Sequence, residues 1–214
     1  MGGLSCALSL AKHGFSKIDV YETASNLGFA GAGIQLAPNM GILDRFGVWD
    51  EIAVEAVDLK ETSIGGENLD FSFKTMCILT KKHIEGSTDN ELAHVDLNYT
   101  LQTYGYPQMV GHRASLAGGM FNGCKREKAI QFHFAHTFES VKSFSPKPTF
   151  IVRSTGNGKF DVLLAADGIE SKTREQILGE RGVDTHVQDT GRAAYRIILK
   201  REEMASDAMI DQCG

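Results

Sequence analysis

Cysteine is scarce in this chain and badly spaced for chemistry. Cys6, Cys77, Cys124 and Cys213 are scattered through 214 residues with no C-x-x-C pair, which argues against a zinc knuckle and against a disulfide framework. An excess of positive charge is also lacking. Lys and Arg number 22 against 27 Asp and Glu, for a net charge of -5, so no basic surface for a phosphate backbone is expected and nucleic acid is excluded as a partner. Long hydrophobic runs are missing too: the N-terminal apolar stretch, Leu4 to Ala11, is too short to cross a bilayer and has no positive n-region. Cys6 stands where a myristoylation signal wants Ser or Thr. Internal repeats and low-complexity tracts are absent. These absences lead to an expectation of a cytoplasmic protein in a reducing compartment, with no membrane partner. What is abundant is apolar residue, 42% of the chain, ample for a buried core.

The first informative pattern opens the sequence. Gly2-Gly3 precede a run in which Leu4, Ala7, Leu8 and Ala11 share one helical face, Gly14 stops that helix, and Ile18-Asp-Val-Tyr-Glu22 reads as a strand. This is the second half of a dinucleotide-binding β-α-β unit, in which the third glycine of G-x-G-x-x-G lets helix approach strand and an acid about 20 residues on accepts the ribose hydroxyls. Gly3 and Glu22 fit those two roles. The preceding strand and the first two glycines do not precede Gly2 in this sequence, so a sheet lacking its first strand is expected.

Three further segments point to the same ligand class. Gly31-Ala32-Gly33 could let main chain lie against a flat ring, ahead of a helix beginning at Pro38-Asn39 and closed by Gly47. Gly111-His-Arg-Ala-Ser-Leu116 places Arg113 at a helix start, where its planar fork suits phosphate or ribose oxygens. Asp161-Val-Leu-Leu-Ala-Ala166 reads as a strand buried on both faces that delivers Asp167-Gly168 to its C-terminal edge, with a helix capped by Ser171 beyond. Elsewhere a helix is expected over Val48–Ala56 and another over Arg113–Cys124. Strands are expected at Ile130–Phe134, Phe138–Phe144 and Thr149–Val152, as an antiparallel meander with Gly156-Asn-Gly158 as a turn. From Glu61 to about Leu92 no period is visible, and an inserted or disordered loop is expected.

Taken in this order, the four segments resemble the FAD-dependent aromatic monooxygenases of the para-hydroxybenzoate hydroxylase type, most closely their salicylate hydroxylase-like branch. The resemblance implies an α/β fold: an incomplete Rossmann-like FAD-binding sheet, an antiparallel meander and the start of a substrate domain. The FAD-binding domain would occupy 1–180, with an irregular insert near 65–85, and a truncated substrate domain would begin over 181–214. It also implies FAD as cofactor, NAD(P)H as co-substrate, and hydroxylation of a small aromatic, phenolic substrate with dioxygen. Gly2, Gly3, Glu22, Ala32, Gly33, Arg113, Asp167, Gly168 and Arg174 match the family's cofactor-contacting positions. Tyr195 and Arg196 match a strand entering the substrate domain and are the candidate catalytic pair.

Competing readings find less in the residues. His133 and His136 lie in a strand-like run where a separation of three puts side chains on opposite faces, so no metal pair is expected. No G-x-S-x-G elbow supports a hydrolase. An NAD-linked dehydrogenase leaves Gly31-Ala-Gly33 and Asp167-Gly168 without a role. The main alternative is a catalytically silent fragment or interaction module derived from such an enzyme. A sheet without its first strand leaves buried N–H and C=O groups unpaired, at roughly 1–3 kcal/mol each, and weak FAD retention follows.

Overall fold

The positions of the glycine stops and apolar faces divide the chain into short helices and strands. The computed structural model describes residues 1–28, 33–65, 76–77, 91–153, 156–185 and 187–189. In chain order the elements begin with α1 (Gly2–Lys12), β1 (Ile18–Tyr21), β2 (Gly33–Leu36), α2 (Met40–Arg45), α3 (Trp49–Ala53) and β3 (Val57–Asp58). They continue with β4 (Glu61–Gly65), β5 (Met76–Cys77), β6 (Glu91–Asp96), α4 (Tyr99–Tyr104), β7 (Met109–His112) and α5 (Arg113–Arg126). The last are β8 (Ile130–His133), β9 (Phe138–Ser143), β10 (Thr149–Val152), β11 (Gly156–Lys159) and α6 (Lys172–Gly179). Two compact units result, Met1–Phe29 with Ala117–Ala194 and Ala30–Leu116 with Tyr195–Gly214.

In the first unit α1 buries Leu4, Ala7 and Leu8, the face that the periodicity predicts. Gly14 ends its turn with φ +86°, a backbone state that costs glycine little. The helix is tied down at both ends. Cys124 in α5 directs its thiol at the Leu4 carbonyl, 3.6 Å away, and Lys12 pairs with Glu127 at 2.7 Å. Burial, with help from Glu127, pushes the Cys124 thiol up to about 11, so it packs as a small apolar side chain rather than a nucleophile. β1 pairs in parallel with β8, Ile18 beside Ile130 and Tyr21 beside His133. β9, β10 and β11 form the antiparallel meander. α6 docks on that meander through one side chain: the Gln176 amide donates to the Val141 carbonyl at 2.6 Å and accepts from the Val141 N–H at 2.7 Å, standing in for a neighbouring strand.

The second unit has two three-stranded sheets, β2-β7-β3 and β5-β4-β6, all antiparallel. Leu36, Met40, Val48, Ile52 and Leu59 form its core. Glycine at 41 is required here, because a Cβ there would stand 2.8 Å from the Tyr106 ring. Tyr106 in turn donates its hydroxyl to Asp44 at 2.7 Å, and that bond holds the phenol above its ordinary pKa.

The α/β class stands, and several local expectations need correction. β8, expected in the meander, instead extends the β1 ladder. Gly156-Asn-Gly158, expected as a turn, is strand β11 opposite β10. Residues expected to open and close an irregular loop are strands, β4 and β6, paired from Glu61 with Asp96 to Gly65 with Glu91; 66–75 and 78–90 lie outside the described residues. The largest departure is Asp161–Ala166. It forms no strand and is exposed, with Val162 at 63% and Leu164 at 52%. Its apolar composition predicts burial, but a ladder also needs an adjacent edge, and no described strand pairs with it.

A candidate FAD-binding site

In the first unit, the helix start and the Asp-Gly corner meet. A Cβ placed on Gly2 or Gly3 would lie 3.8 or 3.6 Å from the Ala166 Cβ, so the first turn of α1 rests against the residue just before Asp167. The first intrahelical bond runs from the Ser5 N–H to the Met1 carbonyl at 3.0 Å, and Met1 supplies no side-chain cap. The N–H groups of Gly2, Gly3 and Leu4 therefore face outward with no acceptor from their own helix. Such a terminus suits an anion.

The Asp167 carboxylate points along its own chain. Oδ1 accepts from the Ser171 hydroxyl at 2.6 Å and Oδ2 from the Thr173 N–H at 3.2 Å, while the Ser171 oxygen accepts from the Arg174 N–H at 3.0 Å. Burial pushes this carboxyl up, and the Ser171 and Thr173 hydrogen bonds outweigh it, leaving Asp167 below the usual carboxylate range. Gly168 makes the exit at φ +83°, a left-handed turn that a side chain would strain. The Arg174 guanidinium folds back onto the carbonyls of Gly168 and Ile169. Ala165, Asp167, Gly168, Ser171 and Arg174 border a shallow depression of about 400 Å³.

Glu22 follows β1 at the C-terminal edge of the parallel pair. Its N–H donates to the His133 carbonyl at 3.0 Å, and its Oε1 accepts from the Ala24 N–H at 3.0 Å. The other carboxylate oxygen has no described partner. Beside it the two histidines correct the expectation of opposite faces. β8 ends at His133, Ala135 turns with φ +57°, and the two imidazoles come to 5.7 Å with Tyr21 stacked on His133 at 4.7 Å. His133 also donates to Asp19 at 2.7 Å. Among the described residues no group of three or more His, Cys, Asp or Glu is arranged to hold a metal. Nor is any helix among them long and apolar enough to cross a membrane.

In the second unit, β2 pairs with β7 so that Gly33 lies opposite His112, the residue before Arg113. The His112 Nδ1 accepts from the Ala114 N–H at 3.2 Å, and Arg113 opens α5 as an exposed side chain with open space about Gly33. The ladder thus joins the glycine turn to the Arg113 helix, a juxtaposition that neither motif shows by itself. Ala32, Tyr195 and Arg196 lie outside the described residues.

The model of the FAD-binding domain family matches residues 1–205. The chain belongs to that family. Among its relatives are 3-hydroxybenzoate 6-hydroxylase 1 of Aquipseudomonas alcaligenes, 30% identical over 97% of this chain and 47% of its own length, and FAD-dependent monooxygenase OpS4 of Beauveria bassiana, 30% identical over 97% of this chain and 44% of its own. A third is the 6-hydroxynicotinate 3-monooxygenase of Bordetella bronchiseptica, at 25% identity. The chain spans about half the length of the curated relatives it matches. Solved structures agree on the fold: PqsL of P. aeruginosa superimposes with a TM-score of 0.63 at 16% identity, over 91% of this chain and 45% of its own. The 2-methyl-3-hydroxypyridine-5-carboxylic acid oxygenase does so at 0.60 and 18%, over 82% and 39%. The resemblance read from Gly3, Glu22, Arg113 and Asp167 is borne out at the level of family.

The donor set of the first unit fits FAD. Outward N–H groups at α1 match a pyrophosphate, and a carboxylate with a free oxygen at Glu22 matches ribose hydroxyls. Sequence reasoning weighs His136 only as a metal ligand and passes over Tyr21, yet both lie beside Glu22; an aromatic strand end and a histidine after a turn give no signal of that until the β1–β8 pairing is known.

Proposed function

We propose that this chain forms the FAD-binding part of an FAD-dependent monooxygenase that hydroxylates a small aromatic, phenolic substrate with NAD(P)H and dioxygen. The observation that supports this most is the nearness of Gly2 and Gly3 to Ala166, where an added Cβ would just meet the alanine methyl; it puts an open helix terminus beside the Asp167-Gly168 corner in a chain matched by an FAD-binding family. Hydride acceptance and dioxygen activation are chemistry that the flavin supplies when bound. The chain's own residues bind and orient. Gly2 and Gly3 present N–H groups to phosphate, Glu22 accepts from the adenosine ribose, and Arg113 donates to cofactor oxygens. Ala32 and Gly33 give the close backbone approach to a flat ring. Gly168 sets the chain direction after Asp167, and Asp167 and Arg174 hold that corner against α6. Tyr195 and Arg196 are assigned to the substrate side. The scattered cysteines suit a reducing cytoplasm.

A second reading, a catalytically silent fragment or interaction module, draws support from one observation: Val162 and Leu164 are exposed on a run whose composition suits burial. One experiment separates the two. The purified chain is titrated with FAD, followed by flavin absorbance, and assayed for substrate-dependent NADH or NADPH oxidation with 3-hydroxybenzoate. A stoichiometric complex with aromatic hydroxylation supports the enzyme. Failure to retain FAD supports the silent module, and the unpaired run predicts weak retention.

A further inference from the structure

We infer that His136 is a specificity-determining residue for the adenosine end of the cofactor, acting with Glu22; this rests on the FAD reading above. The residues around it are locked. The His136 N–H donates to the Glu22 carbonyl at 2.9 Å, the Glu22 N–H donates to the His133 carbonyl at 3.0 Å, and the Ala135 N–H donates to the Ala24 carbonyl at 2.9 Å. Two chain segments are thereby laced together at the C-terminal edge of β1 and β8, where open α/β sheets take their ligands. The lacing carries backbone strain, since Ala135 is a non-glycine residue at positive φ, +57°; such conformations persist where surrounding structure imposes them.

The tautomer of His136 follows from its partner. Nδ1 lies 2.5 Å from the Phe134 carbonyl oxygen, which can only accept, so Nδ1 carries the proton and Nε2 of the neutral ring is an acceptor. No described residue donates to Nε2. The ring is also held edge-on against Tyr21, with centroids 6.0 Å apart, and Tyr21 is fixed in turn by His133 and Phe150. The corner therefore offers two unfilled acceptors on one rigid frame, a Glu22 carboxylate oxygen and His136 Nε2. An adenosine presents the matching donors, ribose hydroxyls and an exocyclic amine. FMN has neither adenosine nor that amine.

The test compares FAD with FMN by calorimetric titration of the intact chain and of two variants. His136→Phe keeps an aromatic ring against Tyr21 and removes the acceptor; His136→Gln restores an acceptor on a smaller side chain. Thermal melts accompany each, so that a folding loss is recognised. The expected result is FAD binding about five- to tenfold weaker in H136F, FMN binding unchanged, and H136Q closer to wild type. An unchanged ratio of FAD to FMN affinity in H136F overturns the inference, and so does an equal loss in both variants, which would mark a packing role. If either variant melts early, the FAD to FMN ratio measured below its melting point decides. A wild-type chain that binds FAD while H136F binds it equally well sinks only this inference; a wild-type chain that binds neither flavin sinks the FAD reading and this one with it.

Discussion

The first unit contains two helix N-termini that use the same backbone physics to opposite ends. At α6 the cap is closed: Ser171 accepts from Arg174, and Asp167 accepts from both Ser171 and Thr173. At α1 the cap is open: Met1 gives no side-chain acceptor and two glycines occupy the first turn. Four unmet N–H groups are the normal condition of a helix start. A helix that supplies its own carboxylate has spent that electrostatic pull on stability, whereas a helix that supplies none keeps it for a ligand. Asp167 thus differs from Glu22, because one carboxylate is engaged at both oxygens within its own chain, while the other has one oxygen without a partner among the described residues.

Breaking the open end should have the largest effect. Replacing Gly3 by Asp adds a Cβ at an ordinary 3.6 Å from Ala166, so folding is preserved, but it places a negative charge where a pyrophosphate would bind. FAD affinity is expected to fall on the order of 100-fold, from like-charge repulsion of a few kcal/mol, with Gly3→Ala as the control that stays near wild type. Titration by flavin fluorescence reads both.

Breaking the closed end should cost stability first. Asp167→Ala removes the acceptor for Ser171 and Thr173 and is expected to lower unfolding free energy by about 1–2 kcal/mol in urea melts. Ser171→Ala should cost about 1 kcal/mol, and the pair should be less than additive because Ser171 links Asp167 to the Arg174 N–H. If Asp167→Ala weakens FAD binding with no loss of stability, the assignment of its carboxylate to the α6 cap is wrong.

Acid sharpens the contrast. Since the folded Asp167 carboxyl titrates below its usual range, its stabilising contribution is complete above the unfolded value of about 3.9. That contribution is lost as pH falls through the lower folded value. Wild type should therefore lose stability on acidification below about pH 4 more steeply than Asp167→Asn, as read by urea midpoints across that window. The smallest effect belongs to Arg174. Its guanidinium rests on the Gly168 and Ile169 carbonyls at the surface, and Arg174→Ala should cost no more than about 0.5 kcal/mol of stability. An FAD affinity loss well beyond that would show the side chain reaching the cofactor.

Both helices could be read in the residue order, since Leu4, Ala7 and Leu8 fix one helical face and Ser171 is a residue type that caps. Gly14, Gly47 and Gly168 also sit at positive φ, as stops and exits require. What escaped was pairing between distant segments. The 161–166 run and the 18–21 strand look alike in composition, yet among the described residues only the second has a ladder neighbour. Thr62, Ser63 and His94 dilute the apolar signal of β4 and β6, so those strands read as loop. α4 is six residues without an apolar period, below what sequence pattern resolves. A separation of three puts His133 and His136 on opposite faces only if the strand continues, and the left-handed Ala135 turns the chain instead. For the candidate site, the types and spacing of Glu22, Gly33 and Arg113 were legible, while the register that sets Gly33 opposite His112 was not.

One consequence concerns timing during synthesis. The hydrogen bond from His133 to Asp19 joins residues 114 positions apart, and the frame around Glu22 cannot close until β8 has left the ribosome. At roughly 5–20 residues per second, the nascent α1 and β1 wait about 6–23 s for the segment that completes the corner around Glu22, so any ligand that needs that frame must wait as long.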